Sequence, residues 1–142
     1  MGVSSLHHVA IRVRDLEASR RFYEDVLGLS FMEIPVSGAI IADWQGPPAE
    51  GVLLATQAGS TFVILEPPLE GTAADDRFSE RRIGVDHLAF GVDARQDLER
   101  IEGALRDAGV ETAGIELDPV LGKEYVAFRD PDNVQWEFYM SV

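Results

Sequence analysis

Three side chains in this sequence have the right chemistry to share one metal ion: His8, His87 and Glu137. Two imidazoles and a carboxylate suit Fe(II), Mn(II), Co(II), Ni(II) or Zn(II), and they leave coordination positions open for a substrate. The chain has only three histidines, and two of them stand in matching segments. One segment runs Leu6-His7-His8-Val9-Ala10-Ile11-Arg12-Val13, the other Val85-Asp86-His87-Leu88-Ala89-Phe90-Gly91-Val92. At one constant spacing His8 falls on His87, Ala10 on Ala89 and Val13 on Val92. His7 precedes His8 and belongs to the opposite pleat, and its counterpart is Asp86. It reads as structural or exposed.

The elements that must position these groups follow from periodicity. Both segments alternate with period two and read as strands. His8, Ala10 and Arg12 share one face of the first; His87, Ala89 and Gly91 share one face of the second. Small residues beside a histidine leave room for a ligand. The branched and aromatic faces are the ones helices cover. A helical stripe follows each strand. Leu16, Ser19, Phe22, Tyr23, Val26 and Leu27 form the first, with Asp15 as N-cap and Gly28 at the C-terminus. Leu98, Ile101, Leu105 and Ala108 form the second, which Gly109 ends. Both stripes read as core.

Three strand-like runs come after each helix. They are Ser30–Ile34, Val52–Ala58 and Thr61–Leu65 in the first half, and Val110–Leu117, Glu124–Phe128 and Val134–Met140 in the second. Gly59-Ser60 and Asp130-Pro131-Asp132-Asn133 supply turns. Each half is therefore β-α-β-β-β, a repeat within one α+β chain. The modules span residues 1–66 and 84–142, and a polar linker, 67–83, joins them within a single domain. Val36–Glu50, with Gly46-Pro47-Pro48, reads as a loop. In the last strand Gln135, Glu137 and Tyr139 share a face, and Trp136, Phe138 and Met140 share the other. A carboxylate flanked by Trp and Phe at a strand centre is costly if buried without a partner.

Composition narrows the function. The 142 residues include no cysteine, which removes disulfides, Fe–S clusters, thiolate zinc sites and a Cys nucleophile. Lys plus Arg is 12 and Asp plus Glu is 25, so the net charge is −13. Such a chain is repelled by phosphate backbones and anionic membranes, so neither nucleic acid nor membrane is an expected partner. The N-terminus lacks an apolar signal core, and runs such as Phe62–Leu65 are far too short to span a bilayer. The expected location is cytoplasmic. Neither GxGxxG nor GxxxxGK[ST] occurs.

Two stretches carry a family resemblance. LHHVAIRVRDLEASRRFYEDVLGL resembles the opening of a vicinal-oxygen-chelate module, and FRDPDNVQWEFY resembles that superfamily's closing DPDG-x-x-x-E strand. The superfamily includes glyoxalase I, bleomycin-resistance proteins, fosfomycin-resistance enzymes, methylmalonyl-CoA epimerase and extradiol dioxygenases. The resemblance implies two βαβββ modules pairing into an open eight-stranded cup. It implies metal ligands on the first and last strands, here His8, His87 and Glu137. The first module's matching last-strand position is Val63, which cannot ligate. Glu66, three residues on, is assigned to the other face. Three remaining ligands look more like the dioxygenase and fosfomycin-enzyme pattern. Those relatives often carry a tyrosine where this chain has Ala127, and Tyr125 lies two residues upstream on the same face.

The resemblance thus implies a divalent-metal-dependent enzyme acting on a small, oxygen-rich substrate. Its candidate catalytic residues are Glu137, Tyr125 and Arg12, with Gln135 and Tyr139 lining the same cup. Arg12 is suited to a substrate anion. Arg129 is expected to pair with Asp130 or Asp132. The implied assembly is a homodimer, and the 67–83 connector permits a cup closed within one chain or by swapping. The alternative is a metal-free, bleomycin-resistance-like protein that sequesters a cationic ligand. The charge of −13 and the aromatic Trp44 and Trp136 suit such a groove. The histidine–glutamate set favours the enzyme.

Overall fold

Alternating apolar residues make strands here only by pairing with distant ones, and the pairing is the same in both halves. The computed structural model describes residues 2–36 and 51–142. Trp44 and most of the expected 36–50 loop lie outside the described residues. The first half runs β1 (His8–Arg12), α1 (Leu16–Arg21), a π-helical turn (Phe22–Val26), β2 (Met32–Val36), β3 (Gly51–Ala58) and β4 (Thr61–Glu66). The second runs β5 (Leu88–Val92), α2 (Arg95–Asp107), β6 (Ile115–Leu117), β7 (Glu124–Arg129) and β8 (Gln135–Met140). The sheet orders are β1-β4-β3-β2 and β5-β8-β7-β6. In each, the first strand lies parallel to the last and the remaining pairs are antiparallel. The parallel pairing is what the crossover helix allows. The architecture is α+β, two four-stranded sheets with one helical segment inserted in each.

By its contacts the chain forms two compact units, Met1–Glu24 with Leu29–Asp76 and Asp25–Gly28 with Arg77–Val142. No helix among the described residues is long and apolar enough to cross a membrane.

The helices begin and end for local reasons. The Asp15 carboxylate accepts the Ala18 N–H at 3.0 Å, capping α1 as its position suggests. α2 has Ala94 at its N-cap and no side-chain cap. It ends in a Schellman closure: Val110 N–H bonds Leu105 C=O at 2.8 Å and Gly109 N–H bonds Arg106 C=O at 3.0 Å, with Gly109 at φ +70°. The first helix closes around Gly28 (φ +77°) by a Leu29 N–H bond to Tyr23 C=O. That bond spans one residue more than its counterpart, because the chain widens into π-helix at Phe22–Val26. The expected single α-helix over 16–27 is therefore α1 plus this π-helical turn.

The second core is the better packed around a helix. Leu98, Ile101 and Leu105 of α2 are fully buried. They belong with the face of the second sheet that carries Phe90, Val126, Phe128, Trp136 and Phe138, all buried. Phe90 stacks on Trp136 at 4.6 Å between ring centroids, and Phe138 sits 5.2 Å from Phe90. In the first unit Tyr23 is wholly buried and meets Phe31 edge-on at 6.0 Å. Arg20 bridges from α1 to Glu33 of β2 at 2.8 Å.

The expected Val110–Leu117 strand shortens to Ile115–Leu117. The Thr112 hydroxyl instead donates to Ala127 C=O at 2.8 Å, so a side chain takes an edge bond of β7 that a backbone amide would otherwise supply. The Asp-Pro-Asp-Asn turn is a clip. Buried Asp130 accepts the backbone N–H groups of Asp132 and Val134, both at 2.9 Å. Asn133, at φ +72°, donates its side-chain amide to Phe78 C=O at 2.9 Å. Arg129 pairs with Glu80 at 2.6 Å, not with Asp130 or Asp132 as expected. The Asp130 oxygen is already engaged by the turn's own amides, which leaves the connector's carboxylate as the partner.

Truncating Leu98 to Ala removes a fully buried anchor of α2 and should cost about 2–5 kcal/mol. Urea unfolding of the variant reads this directly, and an unchanged midpoint would place α2 outside the core.

Candidate metal centre

Glu137 owes its position to its neighbours. Trp136 and Phe138 fill the buried face of β8, so the pleat turns Glu137 to the opposite face. Parallel register with β5 sets Ala89 beside it, and antiparallel register with β7 sets Ala127 on the other side. Two methyl side chains therefore flank a carboxylate at the sheet centre. His87 immediately precedes β5. Its Nε2 lies 3.6 Å from the Glu137 Oε2. Its Nδ1 lies 2.6 Å from the Asp86 carboxylate. Gln135 donates to the Glu137 Oε1 over a long 3.4 Å.

The donor chemistry fits a divalent ion. Two donors that each bind at about 2.0–2.2 Å stand about 3–3.5 Å apart when they are adjacent ligands. The His87–Glu137 separation is close to that, and too long for a good hydrogen bond. Glu137 is 9% exposed, so its charge has lost most of its water and gains from a cation. An Asp carboxylate on the far nitrogen of a ligating imidazole is a recurrent supporting feature of metal sites.

His8 stands at the start of β1 in the other unit, exposed, with its Nδ1 2.9 Å from the Nδ1 of His7. His7 is exposed, as expected, and its ring also lies 5.9 Å from Phe62. Among the described residues no group of three or more His, Asp or Glu side chains is gathered as a metal site. Within the second unit the structure thus brings together His87 and Glu137, and it places His8 in the first.

The register corrects two positions in the first half. Ala10 pairs with Ile64 as Ala89 pairs with Glu137, so Ile64, not Val63, is the counterpart of Glu137. Val63 is 3% exposed and belongs to the buried face. The cause is turn length. β3 and β4 close at Ala58–Thr61 around two residues, whereas β7 and β8 close at Arg129–Gln135 around the longer 130–134 clip. Ile64, like Val63, carries no donor atom. Glu66 then lies on the same face as Ile64, not the opposite one. It pairs with Arg12 in register and by a 2.8 Å ion pair. Arg12 also donates to Pro67 C=O at 2.7 Å.

Two tyrosines continue the Glu137 face. Tyr125 and Tyr139 are paired across β7 and β8 and stack at 5.8 Å. Tyr125 donates its hydroxyl to Glu116 at 3.1 Å, and Tyr139 donates to Asp118 at 2.6 Å. A phenol that donates to a carboxylate holds its proton more tightly. The bond to Asp118, with some desolvation, pushes Tyr139 up to about 12, and the bond to Glu116 raises Tyr125 in the same direction. Asp118 is correspondingly lowered, first by the Tyr139 bond and then by the Val120 amide. The partners Glu116, Asp118 and Asp86 were not found by sequence reasoning. For Asp86 a signal existed, since it occupies the repeat position of His7. A cavity of about 280 Å³ lined by Val110, Thr112, Ala127, Arg129 and Gln135 opens next to this face.

The sequence pattern of the Glyoxalase/Bleomycin resistance protein/Dioxygenase superfamily matches residues 5–138. The chain belongs to that superfamily. The glyoxalase-superfamily domain of Frankia sp. EAN1pec has a crystal structure that matches with a TM-score of 0.76 and 29% identity, covering 98% of each chain. The uncharacterized protein YwkD of Bacillus subtilis (strain 168) is 29% identical over 144 residues, which is 98% of both chains. The lactoylglutathione lyase of Schizosaccharomyces pombe is 30% identical over 152 residues, covering 94% of this chain and 46% of the yeast protein. The two four-stranded sheets, each with one helical segment, agree with the fold that the resemblance implied.

Ionisation of Tyr139 is the testable consequence. Its raised value means that the folded protein keeps a proton that the unfolded chain gives up near pH 10, so this contribution to stability is intact below pH 10 and lost as pH rises through about 12. In a phenolate absorbance titration Asp118→Asn should lower the ionisation of one tyrosine. An unaltered titration would show that the Asp118 bond is absent in solution.

Proposed function

We propose that the protein is a divalent-metal-dependent enzyme of the glyoxalase/dioxygenase type, acting on a small, oxygen-rich substrate. His87 and Glu137 hold the ion together with His8, which this chain or a second copy in a homodimer supplies. The observation that carries the proposal is the His87 Nε2 to Glu137 Oε2 separation of 3.6 Å, on a sheet face where Glu137 is flanked by the small Ala89 and Ala127.

A bound divalent ion would act as a Lewis acid toward one or two substrate oxygens. The chain's own residues do the rest. Glu137, shielded from water, is a carboxylate able to accept or return a substrate proton at Oε1, the oxygen not turned to His87. Ala89 and Ala127, the small residues on either side of Glu137, leave room for a substrate, and the adjoining cavity beside Ala127 extends it. Tyr125 offers its ring face, because Glu116 already takes its hydroxyl proton. Arg12, paired with Glu66, serves a substrate anion by exchanging that carboxylate for the substrate's. The lactoylglutathione lyase relative supports a lyase on this scaffold as one candidate chemistry.

Metal analysis of protein purified without a tag should find one divalent transition metal per site, removed by a chelator. A panel of methylglyoxal–glutathione hemithioacetal, catechols, fosfomycin with thiols, and acyl-CoA epimers should then contain a metal-dependent reaction that His87→Ala abolishes. A reaction that survived His87→Ala unchanged would refute that residue's role. No metal, with folding unaltered in chelator, would move the chain to the ligand-sequestering alternative.

A further inference from the structure

Asp86 has a place in this site that the ligand set alone does not give it. Its carboxylate oxygen lies 2.6 Å from the His87 Nδ1. An ionised carboxylate can only accept, so the bond requires the proton on Nδ1. A neutral imidazole with its proton on Nδ1 has a bare lone pair on Nε2. That lone pair is on the atom 3.6 Å from the Glu137 Oε2. Two acceptors then face each other across a gap, an arrangement that favours a cation between them.

The repeat strengthens the reading. The residue before each first-strand histidine contacts that histidine's Nδ1: His7 does so for His8 at 2.9 Å, and Asp86 for His87 at 2.6 Å. Both contacts are made at Nδ1 from one repeat position; at His87 the partner is a carboxylate, so the imidazole must be the donor, whereas at His8 two imidazoles meet. Asp86 is itself exposed, with 69% of its side chain accessible, so burial does not account for it.

We propose that Asp86 is a positioning residue: it holds His87 in the Nδ1–H tautomer so that Nε2 is presented to the metal. This rests on the metal-site reading above and adds to it the group that sets the ligand's tautomer and orientation. Its effect is on metal affinity, where lost support of this kind costs about 10–100-fold.

Two measurements on the full chain test it. In the metal-free protein, imidazole ¹⁵N shifts of neutral His87 should report the proton on Nδ1, and Asp86→Ala should lose that preference. With Zn(II) as the probe, in competition with a chromogenic chelator, Asp86→Ala should bind about 10–100-fold more weakly than wild type. Asp86→Asn retains an oxygen that accepts the Nδ1 proton and should recover most of the loss, while thermal unfolding stays the same in all three proteins. An Nε2–H tautomer in the wild type, or equal Zn(II) affinity in wild type and Asp86→Ala, would overturn the proposal. A wild type that binds no Zn(II) would instead overturn the metal-site reading, with the tautomer measurement still deciding whether Asp86 sets the proton.

Discussion

The register of β8 is the constraint from which the candidate site follows. Trp136 and Phe138 are buried against Phe90 and Phe128, and they cannot leave that face without exposing large aromatic surface. A strand's side chains alternate, so Glu137 has one place to go. A slip of a single residue would drive its carboxylate among those rings and turn the aromatics to solvent. Apolar packing on one side of the sheet thereby fixes a charge on the other.

Duplication explains why the site is uneven. Both halves use the same strand order and the same parallel closure of first strand on last. The faces they present differ. In the first sheet, the corner opposite His8 holds the Arg12–Glu66 ion pair; the equivalent pair in the second is Gly91 with Tyr139. Ile64 stands where the second sheet has Glu137. One unit thus has a carboxylate at the sheet centre, and the other has hydrocarbon at that position and an acid at the strand end, where an arginine neutralises it. The acidic partners of Tyr125 and Tyr139 tie both phenols down, so the face combines a desolvated carboxylate with ring surface that carries no proton to give near neutral pH.

Much of this was legible beforehand. The alternation around His8 and His87 identified strands, and the Asp15 and Gly109 signals marked a helix start and a helix end, because a cap and a left-handed glycine act on their immediate neighbours. The Trp136–Phe138 alternation likewise placed Glu137 on the far face. The Val63 assignment failed because it counted along the chain, while the true counterpart is set by which amides pair across the sheet. Glu66 went to the wrong face for the same reason. The π-helical widening after Arg21 left no mark in the apolar stripe, which reads alike for either helix.

What the sequence determined by itself is the repeat, the elements, the buried faces and the three side chains that are candidate donors. Those depend on periodicity and on contacts a few residues apart. Tertiary structure decided the rest: that Ile64 faces as Glu137 does, that Glu80 takes Arg129, that Asp118 and Glu116 hold the tyrosines, and that the Glu137 carboxylate comes to rest beside the His87 Nε2. Each of these joins residues far apart in sequence or distributes one donor among competing acceptors. Hairpin length and sheet register settle such choices, and no local pattern encodes them.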